Sequence, residues 1–246
     1  MVEQEDSAVR LPAAKATMRW TMTASVSVRN YRAAVHLWSA RRSARESRAI
    51  EADLVGTQQP SIELQAVATN SVLLSVAFME ATINEILQDI ADSKPGELNR
   101  RCAGIDEDTA ALLRELWKRP LERSAVLDKY QVALTAGRKP PLHMGSNPYQ
   151  AASKLVSLRN SLIHFKPEWQ TDEDDLSHYQ EKSLRGLFAD SAIFTGPVAP
   201  WFPTACLASG CAEWAHKSAT DFVDRWWAAM GLTRDYHDDL RGMPAP

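Results

Sequence analysis

From Ile62 to Asp92 the chain runs without a glycine or a proline, and within it Val72, Val76, Met79, Ile83, Ile86 and Ile90 recur in steps of four and three. That spacing is one face of an amphipathic helix far longer than a typical strand. Ser93-Lys94-Pro95-Gly96 stops it. A chain built around such a helix needs other helices to cover the stripe, and the sequence supplies them. One helix is expected after Asp106, carrying Leu112, Leu113, Leu116 and Trp117 before Pro120. Another carries Val126, Leu127, Tyr130 and Leu134 and ends at Gly137. A last one follows Pro203, with Leu207, Cys211, Trp214, Phe222, Trp226 and Met230 on one side and Gly231 as its stop.

Residues 148–165 have the clearest helix start. Asn147 suits a cap, Pro148 the first helical position, and Gln150 the reciprocal place in a capping box. Ala151, Leu155, Leu158, Leu162 and Phe165 form the apolar stripe, and Pro167 disfavours helix at Lys166. Met18 to Val28 alternates like a half-buried strand, whereas Asn30 to Leu54 has no breaker. The expected architecture is all-α: a bundle of four or five helices over residues 58–232. Residues 1–57 form a basic extension (an extended lead-in, then a helix), 168–202 an irregular insertion with room for one short helix, and 233–246 a flexible tail.

With 45% apolar and 24% charged residues among 246, the chain has enough apolar surface for a sizeable core. No run approaches the roughly 20 apolar residues of a membrane span, and the acidic start lacks the apolar stretch of a secretory signal. Cys102, Cys206 and Cys211 form an odd set with no Cys-x-x-Cys, which argues against a disulfide framework or a zinc site and for a reducing cytoplasm. The net charge of −3 hides nine basic side chains in residues 10–50 against one acid, Glu46. Asp172 to Asp175 form an acidic run elsewhere. A basic segment of this kind reads either as an electrostatic footprint for RNA or DNA or as a solvated helix face.

The candidate chemistry lies in Arg159-Asn160-Ser161-Leu162-Ile163-His164. A permanent cation and a group that titrates near neutral pH stand within a turn and a half of each other. Ser157, Ser161 and His164 share one side of the helix, with Asn160 a turn below His164. Arg159 and His164 point about 140° apart on an ideal helix. A long arginine partly closes that gap, and a second copy of the helix across a twofold axis closes it better by bringing Arg from one chain near His from the other, so a homodimer is expected. The spacing alone is cheap, because Arg138 to His143 repeats it in a proline loop. Glu80 and Asn84 stand a turn apart in the apolar Ser75–Leu87 stretch, and a carboxylate buried there needs a partner such as Arg159. That pair reads either as a structural ion pair or as Glu80 orienting Arg159.

The Arg-Asn-x-x-x-His segment at 159–164, with Phe165-Lys166-Pro167-Glu168-Trp169 after it and Phe-Met-Glu-Ala-x-Ile-Asn-Glu at 78–85 before it, resembles the HEPN superfamily. The similarity spans about residues 62–169. It implies a helical bundle that dimerises through the motif helices. It also implies either a metal-independent endoribonuclease of toxin–antitoxin or antiviral systems, with no cofactor, or a noncatalytic relative that binds RNA or protein. By position, Arg159 and His164 would be the catalytic pair, with Asn160, Glu80 and Asn84 in support. An antitoxin or nucleotidyltransferase partner is implied as well. RNA supplies its own 2′-hydroxyl nucleophile, so an imidazole for proton transfer and a guanidinium for phosphate charge suffice. No Gly-rich phosphate loop, His-Glu-x-x-His or Gly-x-Ser-x-Gly occurs. His143, His178, His216 and His237 are scattered and read as surface or core residues, and the eight tryptophans mainly as core.

Overall fold

A computed structural model describes residues 28–57, 59–118, 120–167, 179–193, 200–233 and 236–246. These are all-helical, with no strand among the described residues. Eight α-helices follow in order: α1 (Ala33–Leu54), α2 (Ile62–Asp92), α3 (Glu107–Trp117), α4 (Val126–Ala136), α5 (Tyr149–Ile163), α6 (Tyr179–Leu184), α7 (Ser209–Met230) and α8 (Tyr236–Arg241). Short helical turns at Arg100–Cys102, Pro120–Arg123 and Trp201–Ala205 join some of them. The alternating stretch expected as a strand from Met18 lies outside the described residues except for Val28, which is in neither helix nor strand.

The long periodic helix is the hub. Helix α2 packs against α1, α3, α4, α5 and α7, and its predicted stripe from Val72 to Ile90 is fully buried. Its length and composition match those of a membrane-crossing helix, unlike the sequence expectation, yet 50% of its most apolar window is covered by the rest of the bundle. Ser61 caps it by accepting the Leu64 N–H at 3.1 Å. Helix α3 is capped by Asp106, which accepts from the Thr109 backbone at 2.9 Å. Tyr130 of α4 binds α2 and α7 together. Its hydroxyl donates to the Met79 carbonyl at 2.6 Å, its carbonyl accepts from Trp226 Nε1 at 3.0 Å, and its ring meets Phe222 edge-on at 4.9 Å. Trp226 and Trp227 are fully buried, which places them in the core.

Two boundaries differ from the sequence reading. Helix α1, assigned there to an extension ending at residue 57, is part of the bundle, and the compact unit runs Tyr31–Pro246. The reason is a small-residue stripe: Ala33, Ala34, Leu37, Ala40 and Ala44 are buried and let α1 lie close along α2 and α7. Ser71 of α2 fastens that crossing by donating towards the carbonyls of Ala40 (3.1 Å) and Ala212 (2.9 Å). The α1 arginines 42, 45 and 48 are exposed, away from this stripe.

The expected loose tail is docked instead. Tyr236 is 1% exposed, meets Phe78 at 5.2 Å and bonds Asp224. Trp38 Nε1 donates to the Pro244 carbonyl at 2.7 Å. One aromatic side chain and one backbone acceptor outweigh a polar composition. Within the expected insertion, α6 is ordered helix and Ile193 is buried; residues 168–178 and 194–199, including the acidic run, lie outside the described residues.

Two carboxylates, one partly buried and one buried, close helix ends. Glu85 Oε1 accepts from the backbone of Arg32 at 2.6 Å and Ala33 at 2.9 Å, where α1 begins, while its other oxygen meets Arg101 at 3.0 Å. Glu51 does the same for α7, accepting the Ser209 N–H at 3.0 Å. Negative charge at these positive helix ends is favourable.

Candidate functional site

Helix α5 buries Tyr149, Ala152, Leu155 and Leu158 against α7 and α2. The capping box expected at its start does not form. The residue preceding the helix is Pro148, which has no side-chain acceptor, and the Gln150 N–H is taken by the Ser146 carbonyl at 3.1 Å. Nor does the helix reach residue 165: it ends at Ile163, with His164 as its cap in a non-helical conformation (φ −103°, ψ 32°). The His164 N–H still donates to the Asn160 carbonyl at 2.9 Å, and both side chains are exposed.

Arg159 follows the buried Leu158 and turns towards α2, where its guanidinium stands 3.7 Å from the Glu80 carboxylate. The partner chosen from sequence is thus the observed one. The expectation that Glu80 is buried is corrected, since its side chain is 47% exposed and that of Arg159 24%. A long, half-wet pair of this kind contributes little to stability, about 0–1 kcal/mol. One turn along α2, Asn84 accepts from Lys129 Nζ of α4 at 2.8 Å. Lys129 is 2% exposed and lies 5.5 Å from the Trp117 ring centre. Burial lowers its pKa below the ordinary lysine value, against the opposing pull of Glu80 and Glu122. Helices α4, α2 and α5 therefore share a polar seam of Lys129, Asn84, Glu80 and Arg159.

The sequence reading missed Lys129. Its signal was a lysine at the register of Val126 and Ala133, on the buried side of an otherwise apolar helix.

The serine face of α5 is covered from within the chain. Gln180, fully buried on α6, donates from Nε2 to Ser157 Oγ at 3.0 Å and Ser161 Oγ at 2.8 Å, and Tyr179 bonds Ser161. Arg159 is held towards α2 while His164 stands at the exposed helix end, so the structure joins Arg159, Glu80, Asn84 and Lys129 but leaves His164 outside that seam. Neither of two surface clefts includes any of the five predicted residues. One, of about 600 Å³, lies along the first half of α5 and of α7. The other, of about 400 Å³, is lined by the Pro140–Ser146 loop and Arg225.

The decoy spacing Arg138–His143 spans a loop, where His143 Nδ1 accepts from the Gly145 N–H at 3.2 Å. Among the described residues no cluster of three or more His, Cys, Asp or Glu is placed to hold a metal ion. The three cysteines are buried, and burial pushes the Cys206 thiol far above its ordinary range and Cys211 to about 12. At neutral pH Cys206 and Cys211 are packing groups rather than nucleophiles.

Compared with protein-family models, curated proteins and solved structures, the chain matches none.

Proposed function

We propose that this chain is a HEPN-like helical bundle that acts as a homodimeric, metal-independent endoribonuclease in the cytoplasm, in a toxin–antitoxin or antiviral setting. The observation that carries the reading is the setting of Arg159. A guanidinium is held at the bundle surface by Glu80, a turn and a half before an exposed histidine that ends the same helix. His164 is exposed and Arg159 partly so, as a site for a polyanion requires. Among the described residues no hydrogen bond or ion pair joins the His164 side chain to the Arg159 seam of its own chain, and the reading takes a second protomer to bring an Arg and a His together.

In the proposed reaction the 2′-oxygen of RNA attacks the adjacent phosphorus. One imidazole accepts the 2′-hydroxyl proton as the P–O2′ bond forms. The P–O5′ bond breaks, and a protonated imidazole gives its proton to the departing 5′-oxygen. Arg159 bridges the phosphate oxygens as charge builds on them. The products are a 2′,3′-cyclic phosphate and a 5′-hydroxyl, and DNA is not cut. The proof is RNA cleavage by the purified chain in EDTA, lost in His164→Ala and in Arg159→Ala. Cleavage that needs a divalent ion and survives both changes would end the proposal.

A second reading has its own support. Gln180 and Tyr179 occupy the Ser157–Ser161 face that a catalytic helix would offer to a partner or to RNA. On that reading the bundle is a noncatalytic RNA-binding or protein-interaction module, in which Arg159 fixes the register of α5 on α2. It predicts no cleavage by the parent protein.

A further inference from the structure

The cleft of about 600 Å³ is lined by Lys154 and Phe188 and, from α7, by Trp214, Lys217 and Asp221. We propose that it binds a small organic anion carrying an aromatic ring, of the class of a nucleoside monophosphate. This inference concerns the first half of α5 and stands apart from the ribonuclease reading.

The volume lies within the roughly 300–1,000 Å³ of ligand pockets. The charges select the ligand. Arg48 is paired with Glu213 at 3.0 Å, and Glu213 also faces His216 at 3.4 Å, so those groups are satisfied. Lys154 and Lys217 make no ion pair with any described residue, although Asp221 lines the same cleft. Two uncommitted ammonium groups against one carboxylate leave a site that attracts an anion. The first amide of α7 takes no part in this, because Glu51 already occupies it at 3.0 Å.

The aromatic wall is built in advance. Phe188 stacks on Trp201 at 6.0 Å and tilts on Trp214 at 5.4 Å. Trp201 Nε1 in turn donates to Asp190 at 2.7 Å. Glycine at 210 is required here, since a Cβ would stand 2.3 Å from the Ala189 carbonyl oxygen; the wall rests directly on the α7 backbone. Apolar ring surface in the same cleft as two ammonium groups suits a ligand with one flat apolar part and one strongly anionic part.

Isothermal titration of the full chain with AMP, adenosine and inorganic phosphate tests this. AMP should saturate one site, with adenosine and phosphate each weaker because each fills half of it. Lys154→Gln and Lys217→Gln, each checked for an unchanged thermal melt, should each weaken AMP about ten-fold. Trp214→Leu should weaken AMP and adenosine and leave phosphate unchanged. The proposal is overturned if none of the four common nucleoside monophosphates saturates, or if both lysine variants bind AMP like the parent. Because the readout is binding, the result is independent of whether Arg159 and His164 cut RNA.

Discussion

The Lys129 ammonium, enclosed between α4 and α2, donates to the Asn84 side-chain oxygen at 2.8 Å. Its pKa is lowered in the folded protein by burial, so the unfolded chain holds this proton more tightly than the native one. Stability therefore rises with pH as the folded-state pKa is passed, and levels off near the unfolded value of about 10.4. Below that window the full cost of a buried charge is present. Lys129→Met should equal or exceed the parent in stability at pH 7 by about 0–2 kcal/mol. The gap should narrow in urea melts towards pH 10. A Met variant weaker than the parent at pH 7 would show the ammonium to be a net favourable contact.

His36 and His216 give a pH dependence on the acid side. Burial lowers both pKa values; Arg32 assists at His36 against Glu85, while Glu213 opposes at His216, with Arg41 and Arg48 assisting. Unfolded histidine protonates first, near pH 6.5, so stability falls as pH drops below that value. The double variant His36→Gln, His216→Gln should flatten the decline between pH 7 and 5 in thermal melts. An unchanged slope would assign the loss to other groups.

Arg159→Ala separates the two readings of the site. The guanidinium is 3.7 Å from a half-exposed carboxylate, so its removal should cost less than about 1 kcal/mol. Cleavage should nonetheless vanish. Mixed with His164→Ala it should regain partial activity, because each mixed dimer restores one Arg–His site. A large drop in melting temperature with no cleavage by the parent would favour the noncatalytic module.

Glu51→Ala tests a contact that composition gives no hint of. The carboxylate accepts from Ser191 Oγ and Ala192 N at 2.8 Å and from Ser209 N at 3.0 Å. Losing it strands these donors and should lower stability by about 2–4 kcal/mol. Glu51→Gln, which keeps an acceptor, should cost less.

Periodicity made the main helices legible. Ile62–Asp92 and its buried stripe follow from the absence of breakers, and Gly231 stops α7 because it takes the left-handed conformation, φ 74°. What composition misjudged was α1, whose many arginines masked an alanine stripe, and the tail, which Tyr236 and the Pro244 carbonyl anchor. The Arg159–Glu80 pairing was readable because an acid within an apolar helix calls for a cation. Lys129 was not read, although the same reasoning applies to it. Coverage of Ser157 and Ser161 by Gln180 was out of reach, since that contact closes across a segment without periodicity.

Helices α1 and α2 are neighbours in the chain and can pair early, but α7 comes more than a hundred residues later. Until Phe222 and Trp226 arrive to close over Tyr130, the growing polypeptide displays an open hydrophobic trough. Nascent chains halted before α7 should thus be the species that chaperones hold and that aggregate when left unattended.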